Sequence, residues 1–212
     1  MPDILVLHYT AMADWQAARD WLCNPEAEVS AHYLISPLGD VVQLVEEDQR
    51  AWHAGAGSWG DVQDVNSRSI GIELSNDGAS PFAAPLMNAL DGLIRAIMDR
   101  WSIPPERVIA HSDLAPGRKI DPGPRFDWAR LARAGLAVQG ASSPGADAPN
   151  EDAFRRDMVA VGYNGEVSTE VLLSALRLRH RQGHDGPLDG VDCAIAADLA
   201  ARFPVDRSSA TA

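Results

Sequence analysis

Ile4-Leu-Val-Leu-His8 is the stretch on which the fold turns. Four consecutive apolar residues without alternation suit a strand buried on both faces, as the strands of parallel sheets are. His8 stands at its C-terminal end. Outward from it, Asp14 can cap a helix running to about Cys23, with Trp15, Ala18 and Leu22 on one face. Ala31-His-Tyr-Leu-Ile-Ser36 and Asp40-Val-Val-Gln-Leu-Val45 look like a hairpin, with Pro37-Leu-Gly39 supplying the turn chemistry. Ser69-Ile-Gly-Ile-Glu-Leu-Ser75 alternates and reads as another strand. Leu86, Leu90, Leu93, Ile94, Ile97, Met98 and Trp101 trace one face of a long amphipathic helix that Pro104-Pro105 ends. Arg107-Val-Ile-Ala-His111 is a further short strand. Strands and helices intermix through this region, so its fold class is α/β (α+β), a central mixed β-sheet flanked by helices.

Residues 137–150 hold almost no large apolar side chains, which is a linker composition. Beyond them three helices are expected at roughly 151–162, 168–182 and 191–202, with N-cap signals at Ser168 and Asp189. The expected division is therefore 1–136, a linker 137–150, and a small three-helix domain 151–205.

The 212 residues are 46% hydrophobic and 23% charged, as in ordinary globular proteins. A net charge of −12 argues against a nucleic-acid partner. No run approaches the length of a membrane span. Met-Pro-Asp-Ile-Leu-Val-Leu-His8 has no basic segment ahead of an apolar stretch, so a cytoplasmic location is expected, or a periplasmic one if a leader has been removed. Cys23 and Cys193 make no disulfide framework and read as small buried hydrophobes.

Chemistry concentrates in Ala110-His-Ser-Asp-Leu-Ala-Pro-Gly-Arg-Lys-Ile-Asp121, where the chain's single lysine, Lys119, lies two residues before Asp121. Every other basic side chain is arginine, so a compact ammonium here suggests a position where a guanidinium would not serve. His8, His111 and Asp121 offer two imidazoles and a carboxylate, leaving a fourth metal position open, as in catalytic zinc sites. Glu73 interrupts an apolar strand while Ile72 and Leu74 face the other way. It is either a desolvated general base or a carboxylate on the solvated face of an edge strand. Trp52-His-Ala-Gly55 places an aromatic and His53 in a loop suited to a sugar or peptide groove. Asn66 can bond a peptide ligand or cap the following strand. His32 is expected within its strand near the site, whereas His180 and His184 read as surface residues.

Together these residues resemble the zinc-dependent N-acetylmuramoyl-L-alanine amidases of the AmpD/AmiD type, related to peptidoglycan recognition proteins. The resemblance rests on Leu7-His-Tyr-Thr10, Ser30-Ala-His-Tyr-Leu-Ile35 with Gly39-Asp40, and Ala51-Trp-His-Ala-Gly55, and it covers about residues 3–135. Asn66 through Ser75, Ala110-His-Ser-Asp113 and Lys119-Ile-Asp-Pro-Gly-Pro124 complete it. It implies that His8, His111 and Asp121 bind Zn2+, that Glu73 is the catalytic acid/base and that Lys119 stabilises the oxyanion. His32, Trp52, His53, Asn66 and Arg118 are further candidates for substrate contact.

The implied substrate is a peptidoglycan fragment, cut at the lactyl amide during recycling by a monomeric enzyme. Alternatives are an envelope amidase acting on intact peptidoglycan, or a metal-free recognition protein. The tail resembles a small peptidoglycan-binding module, but Ala175-Leu-Arg-Leu-Arg-His-Arg181 departs from the module's usual aromatic-glutamine pattern. A packing role for the tail is as open as glycan binding.

Overall fold

The computed structural model describes residues 1–141 and 148–205; the middle of the expected linker, 142–147, lies outside the described residues. Five strands form one sheet: β1 (Ile4–Tyr9), β2 (Tyr33–Ile35), β3 (Val41–Gln43), β4 (Ser69–Leu74) and β5 (Val108–Ala110), in the order β3-β2-β4-β1-β5. Within this sheet the β2–β3 pairing is antiparallel and the other three pairings are parallel. The sheet is mixed and flanked by helices, with the apolar run Ile4–Leu7 in an interior strand, wholly buried.

Alternation within the strands builds two cores. Leu5 and Leu7 of β1, Ile70, Ile72 and Leu74 of β4, and Val108 of β5 face helix α2 (Ala84–Trp101), which returns Leu86, Leu90, Ile94 and Ile97. Each such side chain contributes about 1.5–3 kcal/mol on burial. Ile4, Val6 and Ile109 face the other way, into a core shared with Phe154, Met158, Leu172, Leu176 and Leu199 of the tail. Those belong to α5 (Glu151–Val161), α6 (Thr169–His180) and α7 (Gly190–Arg202), capped by Asn150, Ser168 and Asp189. Among the described residues no helix is long and apolar enough to cross a membrane.

Several local expectations change. Asp14 caps α1 (Trp15–Leu22) as expected, but Cys23 ends that helix exposed, and Cys193 is only half-buried on the first turn of α7. His111 does not end a strand; it opens the four-residue helix α3 (His111–Leu114). A short helix α4 (Trp128–Arg133), capped by Asp127, follows the Pro/Gly-rich segment. His180 is buried, not on the surface, and its Nδ1 accepts from the Gly140 N–H at 3.3 Å.

One buried carboxylate staples the sheet edge to α2. Glu47 accepts from Arg100 at 2.7 and 2.8 Å, Trp101 Nε1 at 2.5 Å and the Tyr33 hydroxyl at 2.7 Å. Burial opposes its ionisation, but these donors, led by Arg100, bring its pKa down from 4.5 to about 2. A carboxyl depressed in the fold stabilises it above the unfolded value, and that stability is lost as pH falls from about 4.5 to about 2. Glu47→Gln should cost about 1–2 kcal/mol at neutral pH, allowing for screening at the half-exposed Arg100, and should flatten that acid interval. Denaturant midpoints between pH 7 and 2 measure this; an unchanged acid slope would rule it out.

Candidate active site

Three neighbouring parallel strands end at the same edge, where open α/β sheets bind ligands. His8 of β1 pairs directly with Glu73 of β4, and Leu7 pairs with Ala110, the residue before His111. By alternation His8 and Glu73 share the face of Val6 and Gly71, away from α2. Ser112 N–H bonds the Asp121 carbonyl at 3.0 Å, folding the loop back so that Asp121 meets both histidines.

The ligand atoms are His8 Nδ1, His111 Nδ1 and Asp121 Oδ2. His8 Nδ1 lies 2.9 Å from His111 Nδ1, and each nitrogen is 3.0 Å from the carboxylate oxygen. Their neighbours fix where the protons are. His111 Nε2 lies 2.9 Å from the Ala54 carbonyl, which only accepts, so Nε2 carries hydrogen and Nδ1 is bare. On the other ring the assignment runs through two partners. The Ser69 hydroxyl donates to the Val65 carbonyl at 2.6 Å, so it accepts from His53 Nε2 at 3.2 Å. His53 Nδ1 then accepts from His8 Nε2 at 3.0 Å, leaving His8 Nδ1 bare.

Three lone-pair atoms thus point at one spot and repel one another unless a cation lies between them. That donor chemistry fits a divalent metal ion. Outer partners that set a ligand's tautomer are the usual companions of metal-bound histidine.

Electrostatics agree. Burial, then the neighbouring His111, pulls His8 down to about 4, keeping it neutral and able to ligate. Burial, then His8 and His32, holds His53 well below its ordinary value. Glu73 goes the other way. Burial, then the Asp121 charge, raises it to about 8 against the opposing pull of Lys119. Its Oε2 is buried with no protein partner, a carboxylate oxygen waiting for something in the cleft.

The cleft holds about 540 Å3 and is lined by His8, Glu73, His111, Lys119, Asp121 and, at its rim, Trp52. The structure therefore brings together all five residues expected to carry metal or chemistry. A larger cavity, about 810 Å3, lies in the tail around Thr169 and Gln182 and contains none of them.

The candidates for substrate contact divide. Trp52 is 56% exposed beside the cleft. His53 reaches the cleft, but its two nitrogens are committed to His8 and Ser69. Arg118 lines the cleft while its guanidinium bonds the Ala54 carbonyl at 2.9 Å and the Ala56 carbonyl, bracing the His53 loop.

Two expectations are corrected. His32 is 0% exposed, with Nδ1 accepting from the Gly71 N–H at 3.0 Å and Nε2 donating to the Gln49 carbonyl at 3.1 Å, so no ligand can reach it. Asn66 is buried, its Oδ1 accepting from the N–H groups of His53 and Ala54 at 3.0 and 2.9 Å; it shapes the loop from behind.

Sequence reasoning missed Trp21, 54% exposed on the cleft side of α1, and the tautomer-setting Ser69. It also missed Gly71, where a Cβ would lie 2.4 Å from His53 Cγ. A glycine inside a strand is the signal that another group approaches closely there.

Comparisons with known proteins complete the picture. Residues 1–124 match the family described as N-acetylmuramoyl-L-alanine amidase. The chain is 40% identical over 151 residues to N-acetylmuramoyl-L-alanine amidase AmiD of Escherichia coli (strain K12), covering 64% of this chain and 54% of that protein. It therefore spans about half the length of that relative. To 1,6-anhydro-N-acetylmuramyl-L-alanine amidase AmpD of the same organism it is 34% identical over 146 residues, covering 61% of this chain and 80% of AmpD.

Among solved structures, the complex of AmiD from E. coli with the substrate anhydro-N-acetylmuramic acid-L-Ala-D-gamma-Glu-L-Lys has a TM-score of 0.88 at 31% identity. It covers 97% of this chain and 91% of that one. AmpDh3 from Pseudomonas aeruginosa gives 0.85 at 30% identity, covering 95% and 92%. With strand ends, donor set and family match in agreement, the chain belongs to the N-acetylmuramoyl-L-alanine amidase family.

Proposed function

We propose that this protein is a zinc-dependent amidase that hydrolyses the lactyl amide joining 1,6-anhydro-N-acetylmuramic or N-acetylmuramic acid to the L-alanine of a stem peptide. The observation that carries the reading is the convergence of three bare ligand atoms beside an unpartnered carboxylate in an open cleft. His8 and His111, through Nδ1, and Asp121, through its carboxylate, would hold zinc and leave a fourth position to water or substrate. When bound, zinc supplies Lewis-acid polarisation of the scissile carbonyl and acidifies water.

The chain's own groups do the rest. Glu73 accepts the proton of the attacking water and returns one to the departing alanine nitrogen, a task suited to a carboxyl raised toward neutrality. Lys119 holds positive charge at the cleft, where the tetrahedral species becomes anionic. Trp52 offers an aromatic face to a sugar or peptide at the rim. A metal-free recognition protein is disfavoured because the donor set is complete.

Recycling of anhydro-muropeptides, and with it a cytoplasmic setting, is the favoured role. The recycling role is supported by the name of the AmpD relative and by an AmpDh3 structure in complex with anhydromuramic pentapeptide. Purified protein should release free stem peptide from an anhydro-muropeptide, read by mass spectrometry, and should turn it over faster than intact sacculi. Cleavage between amino acids of the stem would overturn the amidase reading, and preference for sacculi would overturn the recycling role.

A further inference from the structure

We propose that the three-helix tail is a working part of the metal centre, with Arg179 and Tyr163 acting as positioning residues for His111 through Asp113. The inference rests on the metal reading above and adds to it residues from outside the family-matched segment.

The loop that carries two of the three ligands has little to hold itself. Helix α3 is one turn long, too short to be stable by its own hydrogen bonds. Asp113 fixes that turn. Its Oδ2 accepts from the Ala110 N–H at 2.8 Å, closing the turn around His111. The neighbouring Ser112 N–H bonds the Asp121 carbonyl, so the same turn also registers the carboxylate ligand.

Asp113 itself is 0% exposed, and a carboxylate buried without a cation is strongly disfavoured. The tail supplies the cation. Arg179 Nη1 donates to Asp113 Oδ2 at 2.6 Å, and Nη2 donates to the Val108 carbonyl of β5 at 3.0 Å. Its guanidinium stacks 4.3 Å from the Trp128 ring centroid. The Tyr163 hydroxyl donates to Asp113 Oδ1 at 2.7 Å, so both carboxylate oxygens are taken.

Tyr163 is aimed by its own surroundings. Its ring meets Trp59 edge-on at 5.1 Å, and the Gly60 N–H bonds the Gly162 carbonyl at 2.8 Å. A Cβ at Gly162 would lie 2.7 Å from the Trp59 ring, so the close approach requires glycine. Just past the end of α6, Gln182 Nε2 donates to the Phe126 carbonyl at 2.8 Å. Ala175 through Arg181 is the stretch that departs from the peptidoglycan-binding pattern. Within it Arg179 turns onto the catalytic unit, whereas Arg177 and Arg181 pair with Asp192 and Asp189 inside the tail.

The test uses the full-length protein, with Arg179→Gln, Arg179→Lys and Tyr163→Phe, and zinc itself as the probe. Zinc affinity is measured by chelator competition, and the d–d absorption of cobalt-loaded protein reports ligand geometry. Arg179→Gln should weaken zinc binding by about 10-fold, the low end of the effect of losing a direct partner of a ligand because Arg179 acts through Asp113, and should shift the cobalt bands. Arg179→Lys should recover part of both. Should Arg179→Gln fail to fold, Tyr163→Phe removes a single hydroxyl and should still weaken binding several-fold.

If folded variants bind zinc within twofold of the wild type, with unchanged cobalt spectra and only a lower Tm, the tail merely stabilises the fold and the inference is wrong. If the wild type itself binds no zinc, it is the metal reading that fails.

Discussion

Replacing Glu73 with glutamine should lower kcat for muropeptide hydrolysis about 10³-fold while leaving zinc bound. Glutamine keeps the shape of the side chain and its place opposite His8, but its amide cannot take up a proton. General acid–base catalysis by one positioned group is worth about 10²–10⁴ in rate. This carboxyl is tuned for the task by burial and by the Asp121 charge, which together raise it to about 8. A bound dication would draw it down toward neutrality, where accepting and returning a proton are both feasible. Glu73 contributes none of the three converging ligand atoms, so metal content should not change. Peptide release and zinc analysis on one preparation separate the two effects. A kcat within tenfold of the wild type would remove Glu73 from the chemistry.

Asp121→Ala should have the opposite signature, losing metal and activity together. Asp121 supplies the only anionic donor of the three and sits 3.0 Å from both imidazole nitrogens. Without it two neutral imidazoles remain, and the zinc affinity should fall by more than the 10–100-fold that outer partners typically account for. Activity at limiting zinc should drop to that of the metal-free protein, and excess zinc should recover little. Zinc bound at wild-type affinity by Asp121→Ala would show that the metal lies elsewhere.

Much of the site was legible because strand periodicity is local. The apolar run Ile4–Leu7 fixes a buried strand and therefore puts His8 at a sheet edge; Glu73 stands out because its neighbours Ile72 and Leu74 belong to the α2 core. Lys119 and Asp121 were conspicuous by composition and by their Pro/Gly-rich loop.

What sequence could not give depends on distant partners. His32 and His53 look alike as isolated histidines. Which one reaches His8 is settled by Gly71 leaving room for the His53 ring and by Asn66 pinning its backbone. The three-residue β5 and four-residue α3 are too short for periodicity to mark the border that puts His111 in a helix. The second and third tail helices were marked by their caps, Ser168 and Asp189. Local pattern does not say which face meets the sheet, so His180 and Arg179 were misjudged or passed over.

Metal dependence is the central claim, and stoichiometric reconstitution tests it most directly. The protein is stripped with a chelator, freed of the chelator, and titrated with zinc while release of stem peptide from an anhydro-muropeptide is followed. Activity should be absent in the stripped protein and should return to a plateau at one zinc per chain. Undiminished turnover by protein shown to contain no metal would contradict it.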